Sequence, residues 1–177
     1  RATTASPGLA FMLITIAAFG DAWPQYWERV MANGAKLTSG WSDAYYVDFS
    51  QGGEKGKRPI VLSYDTSPAF TVNDAGTQTS TVALLDTCFR QREYAGVLEG
   101  AKNPEGAAKV IEFLLSKDVQ TAIPDSMYVF GVRDDVELPE AWAKFAVQPT
   151  KTFDVAPAAI AKNRSDWLMT WTDATAK

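Results

Sequence analysis

Pro59-Ile60-Val61-Leu62-Ser63-Tyr64-Asp65-Thr66-Ser67-Pro68-Ala69-Phe70 is the stretch on which the fold turns. Its first half is a short continuous apolar run, the pattern of a strand buried on both faces. Its second half replaces apolar residues with hydroxyls, a carboxylate and two aromatics at the carboxyl end of that strand. In open α/β sheets, ligands gather in the crevice beyond such strand ends.

Working outward, Gln51 to Arg58 is polar, glycine-rich and basic, and reads as a surface turn. Upstream, Ser6 caps and Pro7 opens a helix running to Phe19 and ending at Gly20. A second helix covers about Trp23 to Ala32, with Trp23, Trp27, Val30 and Met31 on one face and Asn33-Gly34 as its stop. A third begins near Ser42 and carries Tyr45, Tyr46 and Phe49. Downstream, Thr81 to Leu85 and Phe89 to Leu98 read as strands. Asn103-Pro104 opens an amphipathic helix with Ala107, Val110, Ile111, Leu114 and Leu115 along its stripe. A last helix, about Pro157 to Trp171, aligns Ile160, Arg164, Trp167, Leu168 and Trp171. Helices alternating with short strands define an α/β class. No internal repeat, low-complexity tract or interdomain linker is visible.

Composition narrows the function. The chain has 177 residues, 46% of them hydrophobic and 12% aromatic, enough to bury a core. Seventeen Lys and Arg against 21 Asp and Glu leave a net charge of −4 with no basic block, which argues against a nucleic-acid surface. The longest apolar run, Gly8 to Gly20, is shorter than the roughly 20 residues of a membrane span and reads as a buried helix. No charged start followed by an apolar stretch marks a signal peptide. Cys88 is the sole cysteine, either a small buried hydrophobe or half of a bridge to a part of the protein absent here. Histidine is absent, which removes the commonest general base, the Ser-His-Asp and Cys-His arrangements and the commonest metal ligand. No metal site or cofactor is expected.

Three segments place chemistry at element ends. Gly40-Trp41-Ser42-Asp43-Ala44-Tyr45 and Ser63 to Phe70 offer aromatic faces for a heteroaromatic ring or a cation, and Asp65 favours positive charge. Ala5-Ser6-Pro7-Gly8 is a helix start whose free N–H groups suit an anion. Competing roles are bland. With six Trp, six Tyr and nine Phe most aromatics belong to the core, Trp41 fits packing or capping, and Ser42 and Ser67 fit N-caps.

Taken in order, Ser6-Pro7-Gly8-Leu9, Gly40 to Tyr45 and Ser63 to Phe70 resemble the periplasmic thiamine-binding proteins of ABC importers. Phe113-Leu114-Leu115-Ser116, with Gln120 and Ile123-Pro124, is similar to that family's helix and turn at the pocket's far wall. Leu138-Pro139 and the Trp-rich final helix fit as well, so the resemblance spans nearly the whole chain. It implies a type II periplasmic-binding-protein fold, of which residues 1–177 form the carboxy-terminal part, one lobe's segment plus the return to the other. It implies a binder rather than an enzyme, capturing thiamine or its phosphates and delivering them to a membrane ABC permease. The implied compartment is periplasmic or extracellular, with or without a membrane anchor.

By the same resemblance Trp41 and Tyr64 contact the ligand, Asp65, Thr66 and Ser67 continue the loop, and Tyr45 lies beside them. Phe70 and Tyr128 supply further walls, where relatives carry Tyr and Trp. Ala5 and Ser6 face the phosphate, with Ala5 limited to its backbone because it replaces a hydroxyl residue. The ligand is clamped between two lobes in this family. About half of that clamp is missing here, so the chain alone is expected to bind thiamine weakly or not at all.

Two other classes stay open at this point. An importer protein for ferric iron would use paired phenolates such as Tyr45-Tyr46, though no second tyrosine pair or carboxylate–histidine set completes a coordination sphere. A carbohydrate-active enzyme would use aromatic subsites and two carboxylates, with Asp43 and Asp65 as the pair, but neither lies in a recognisable catalytic motif.

Overall fold

The computed structural model describes residues 1–53 and 55–176; Glu54, inside the expected surface turn, lies outside the described residues. The chain divides into two compact units, Arg1–Asp65 with Leu84–Gln91 and Pro149–Lys177, and Thr66–Ala83 with Arg92–Gln148.

Three helices build the first unit: α1 (Ser6–Phe19), α2 (Trp23–Ala32) and α6 (Pro157–Thr175). Residues 6–32 are together long and apolar enough to cross a membrane by composition. Gly20, at φ +50°, instead turns the chain through a one-turn 3₁₀ segment, and α2 packs against α1. Met12, Leu13, Trp23, Trp27, Trp171 and Ala174 form the buried core, with Ile160, Trp167 and Leu168 against it. Thr15, which interrupts the apolar run, is itself buried and useful there. Its hydroxyl donates to the Met12 carbonyl (2.7 Å) and accepts from Trp27 Nε1 (3.0 Å). Trp27 meets Phe11 and Trp171 edge to face, with ring centroids 5.3 and 5.6 Å apart.

The second unit holds α3 (Pro104–Leu114), α4 (Lys117–Met127) and α5 (Glu140–Phe145). As the sequence indicates, Asn103 caps α3, its side chain accepting from Gly106 N at 2.9 Å. Ser116 does the same for α4, accepting from Val119 N. The buried hydrophobic set is small: Ala69, Trp142 and Ala146, flanked by Phe130 and Phe145. Gln120 is the buried polar tie of this unit. Its Nε2 donates to the Leu114 carbonyl and its Oε1 accepts from Val132 N, both at 2.7 Å.

Several local expectations are corrected. Residues 59–64 and 81–84 are extended but pair with no ladder among the described residues, and Leu85–Thr87 is a 3₁₀ turn. The expected strand 89–98 is reduced to one parallel bridge, Phe89 with Phe153. An apolar run signals a demand for burial, whereas a strand exists only through the backbone of its neighbour. A hairpin at Thr71–Ser80, turning on Asn73-Asp74-Ala75-Gly76, was not anticipated; Asn73 Oδ1 accepts from Thr77 N and Gln78 N. The expected apolar stripe of α3 contains no buried residue. Pro124 lies inside α4 rather than in a turn, at the position where its missing N–H leaves the Gln120 carbonyl without its helical donor. Ser6, Ser42 and Ser67 do not cap with their side chains; α1 begins from Ala5 in an extended conformation.

Candidate functional site

In the first unit, the third helix expected near Ser42 is a π-helical turn, Asp43–Asp48, closed by the Phe49 N–H donating to the Ala44 carbonyl at 3.1 Å. Such wide turns are rare and concentrate at functional sites. Beneath it, residues 49–58 fold back. Arg58 N donates to the Asp48 carbonyl and Ser50 N to the Arg58 carbonyl, both at 3.0 Å. Gly52 lies directly under the Tyr45 carbonyl, where any Cβ would overlap that oxygen.

This turn gathers the aromatics that the sequence singled out. Trp41 stacks on Tyr45 at 4.7 Å and 20° between planes. Tyr46 meets Trp41 edge to face at 5.4 Å, and Tyr64 lies 6.0 Å from it at a 51° tilt. Tyr45 is buried, whereas Tyr46 and Tyr64 are exposed and Trp41 is half-buried. One face of the Trp41 indole is therefore covered by its own neighbour. Its ring is also pinned, because Nε1 donates to Ser63 Oγ at 3.0 Å. Ser63, one residue before Tyr64, was not singled out from the sequence. Its signal was present all the same, as a hydroxyl ending an apolar strand-like run.

The helix start joins this neighbourhood. Thr4 Oγ1 donates to the Ser39 carbonyl at 2.6 Å, two residues before Trp41, and Ser39 Oγ donates to Asp43 Oδ2 at 2.7 Å. Gly8 permits the approach of the Arg1 carbonyl to α1, where a side chain would overlap it. Ala5 is half-buried at the cap position, and Ser6 is exposed as the first helical residue. Asp65 is close enough to Cys88 for its charge to act on the thiol. Burial chiefly, then Asp65, pushes that thiol above its ordinary pKa, so Cys88 is a poor thiolate at neutral pH.

The second unit carries a separate aromatic group. Phe70 meets Tyr128 at 4.7 Å and Trp142 at 5.5 Å, both edge to face, and Phe130 meets Trp142 at 5.3 Å. Phe70 and Tyr128 were expected from the sequence. Trp142, only 1% exposed, was missed because it sits on the six-residue α5, too short for periodicity to reveal. Tyr128 closes α4 in the left-handed region, at φ +60°, a position that ordinarily favours glycine or asparagine. Thr66, buried at 2% exposure, donates from Oγ1 to the Tyr128 carbonyl at 2.9 Å and holds that turn. Thr66→Val removes the donor at nearly constant shape. We expect a loss of about 1 kcal/mol in urea unfolding, largely restored in Thr66→Ser; an unchanged Thr66→Val midpoint would show that the bond contributes nothing. Ser67 opens the 3₁₀ turn Ser67–Phe70 in the same unit. Gln120 and Pro124 line a cavity of about 190 Å³ together with Phe130, Arg133 and Leu138. Among the described residues no group of three or more His, Cys, Asp or Glu is placed to hold a metal ion.

Helical packing with extended segments and two aromatic groups at element ends defines a class, the α/β periplasmic-binding-protein fold of type II. A solved structure titled "Periplasmic thiamin binding protein" superposes with a TM-score of 0.73 and 26% identity, covering 97% of this chain and 52% of that one. In sequence, the chain is 32% identical over 175 residues to the thiamine-binding periplasmic protein of Salmonella typhimurium and 31% identical to that of Escherichia coli K12. It is 33% identical over 177 residues to the thiamine-binding periplasmic protein of Brucella melitensis. Each match covers 98% of this chain and 51% of the relative, so the chain spans about half the length of the curated relatives it matches. No family model matches the sequence.

Proposed function

We propose that this chain is the carboxy-terminal part of an extracytoplasmic solute-binding protein that captures thiamine or a thiamine phosphate for an ABC importer. The observation that carries the reading is the pinned indole of Trp41, stacked on one face and bonded to Ser63. A ring held this way loses little freedom when a ligand arrives, which is how preorganisation contributes to affinity. Its other face suits the flat pyrimidine and thiazolium rings, and a thiazolium adds cation–π attraction. Tyr64 supplies a second surface at an angle, Tyr45 supports Trp41 from behind, and the Asp65 carboxylate favours the cation. Ala5 and Ser6 would meet a phosphate at the start of α1, Ala5 through its backbone. The chain acts by binding rather than catalysis, and its partner is a membrane permease.

The test is isothermal titration of the protein carrying both this chain and the remaining half of the fold. Thiamine, its phosphates and ferric citrate are titrated separately. Thiamine or a phosphate should bind and ferric citrate should not. Trp41→Ala should weaken binding about tenfold or more, equivalent to about 1.4 kcal/mol; unchanged affinity removes Trp41 from the site. In the second unit, Tyr128→Ala under the same titration reports whether the Phe70–Tyr128 pair, with Thr66 and Ser67, contributes.

A further inference from the structure

The second unit exposes more apolar surface than its core can account for. Its buried hydrophobic set is three residues, two of them alanines, while α3 buries none of its side chains. On α3, Val110 is 57% and Phe113 64% exposed, with Leu114 also exposed. These residues stand three and four apart, so they form one continuous face. The segment leading to α3 repeats the pattern, with Tyr94 87% and Leu98 80% exposed. An eleven-residue helix has marginal stability alone in water and relies on packing of its apolar face. That face is bare.

We infer that the Val110–Phe113–Leu114 face of α3 is covered by a second polypeptide segment, equivalent to the half of the relatives that this chain does not match. The choice of occupant follows from length. Each relative matched over 98% of this chain has nearly as much polypeptide again, and the solved structure superposed here likewise extends to about twice the matched region. Charge argues against a lipid surface instead. The charged residues of α3 are Glu105, Lys109 and Glu112, a net acidic set, whereas membrane-surface helices carry a basic polar face. This inference rests on the reading that the chain is part of a longer binding protein.

The experiment mixes this chain with the part of the Escherichia coli thiamine-binding periplasmic protein that it does not match, made as a separate polypeptide. Light scattering after size exclusion should show a one-to-one complex. Hydrogen exchange at residues 104–114 should slow roughly tenfold or more in that complex. Phe113→Asp, at an exposed position, should abolish both effects while leaving the chain's far-UV circular dichroism unchanged. Failure to form the complex overturns the inference, as does a complex indifferent to Phe113→Asp. Protection of α3 by self-association of the chain, or by phosphatidylglycerol vesicles, overturns it too. Thiamine titration of the mixture separates the two readings. A complex without thiamine binding leaves the docking face standing and removes the proposed ligand; thiamine binding by the chain alone, without a complex, does the reverse.

Discussion

Trp27→Ala is expected to cost the first unit about 3–5 kcal/mol, most of what a domain of this size has in hand. The indole fills the junction of α1, α2 and α6, so its loss opens a cavity that three helices line and none can close alone. Two edge-to-face pairs, with Phe11 and Trp171, vanish with it, each contributing roughly 0.5–1.5 kcal/mol beyond burial. The polar link can be separated from the packing. Thr15→Val strands the buried Trp27 N–H without an acceptor and should cost about 1–3 kcal/mol. Trp27→Phe removes the donor but keeps an aromatic ring, and the double variant should lose less than the sum of the singles. Urea unfolding followed by circular dichroism measures all four proteins. A Trp27→Ala variant within about 1 kcal/mol of the parent would mean the three helices do not meet on this ring.

Gly52→Ala is the second change with a large expected effect, and its reason is purely steric. An alanine Cβ would occupy the Tyr45 carbonyl oxygen, which is backbone and cannot swing aside. Either the 49–58 loop opens or the π-helical turn shifts, and overpacking of this kind typically costs about 1–3 kcal/mol. Because Tyr45 supports Trp41, the aromatic group should be displaced as well, so near-ultraviolet circular dichroism should change along with stability. Two controls isolate the cause. Gly40 has open space and an ordinary backbone, so Gly40→Ala should be close to neutral although it adjoins Trp41. Gly53, at φ +97°, also has open space, so Gly53→Ala should pay for backbone strain without disturbing Tyr45. Equal near-ultraviolet spectra for Gly52→Ala and Gly40→Ala would refute the contact.

Legibility in the sequence followed the range of the forces. The helices α1, α2 and α6 could be read directly, since apolar spacing, Pro7 and Gly20 act within a few residues. Caps were less legible: Ser6 competes with Ala5 for a boundary one residue wide, and the tertiary surroundings decided it. The strand at 59–64 was misread because its apolar composition reports burial, while pairing depends on backbone far away in the chain. Within the candidate site, Trp41, Tyr45 and Tyr64 were visible as aromatics out of phase with any apolar stripe. That Tyr45 would be the buried support, and Ser63 the anchor of the indole, depends on a π-helical turn that no periodicity announces. In the second unit, Phe70 and Tyr128 lie 58 positions apart, and only the motif resemblance linked them before the fold brought their rings together.

The contrast between buried and half-buried indoles has an optical consequence. Trp23, Trp27, Trp142 and Trp171 are enclosed, while Trp41 and Trp167 reach solvent in part. Blue-shifted light from the enclosed four will dominate the intrinsic emission, and a total-intensity reading will scarcely register an event at residue 41. Excitation at the red edge with iodide in solution selects the two accessible rings. There, occupation of the free face of Trp41 would register as shielding from the quencher rather than as a change in brightness.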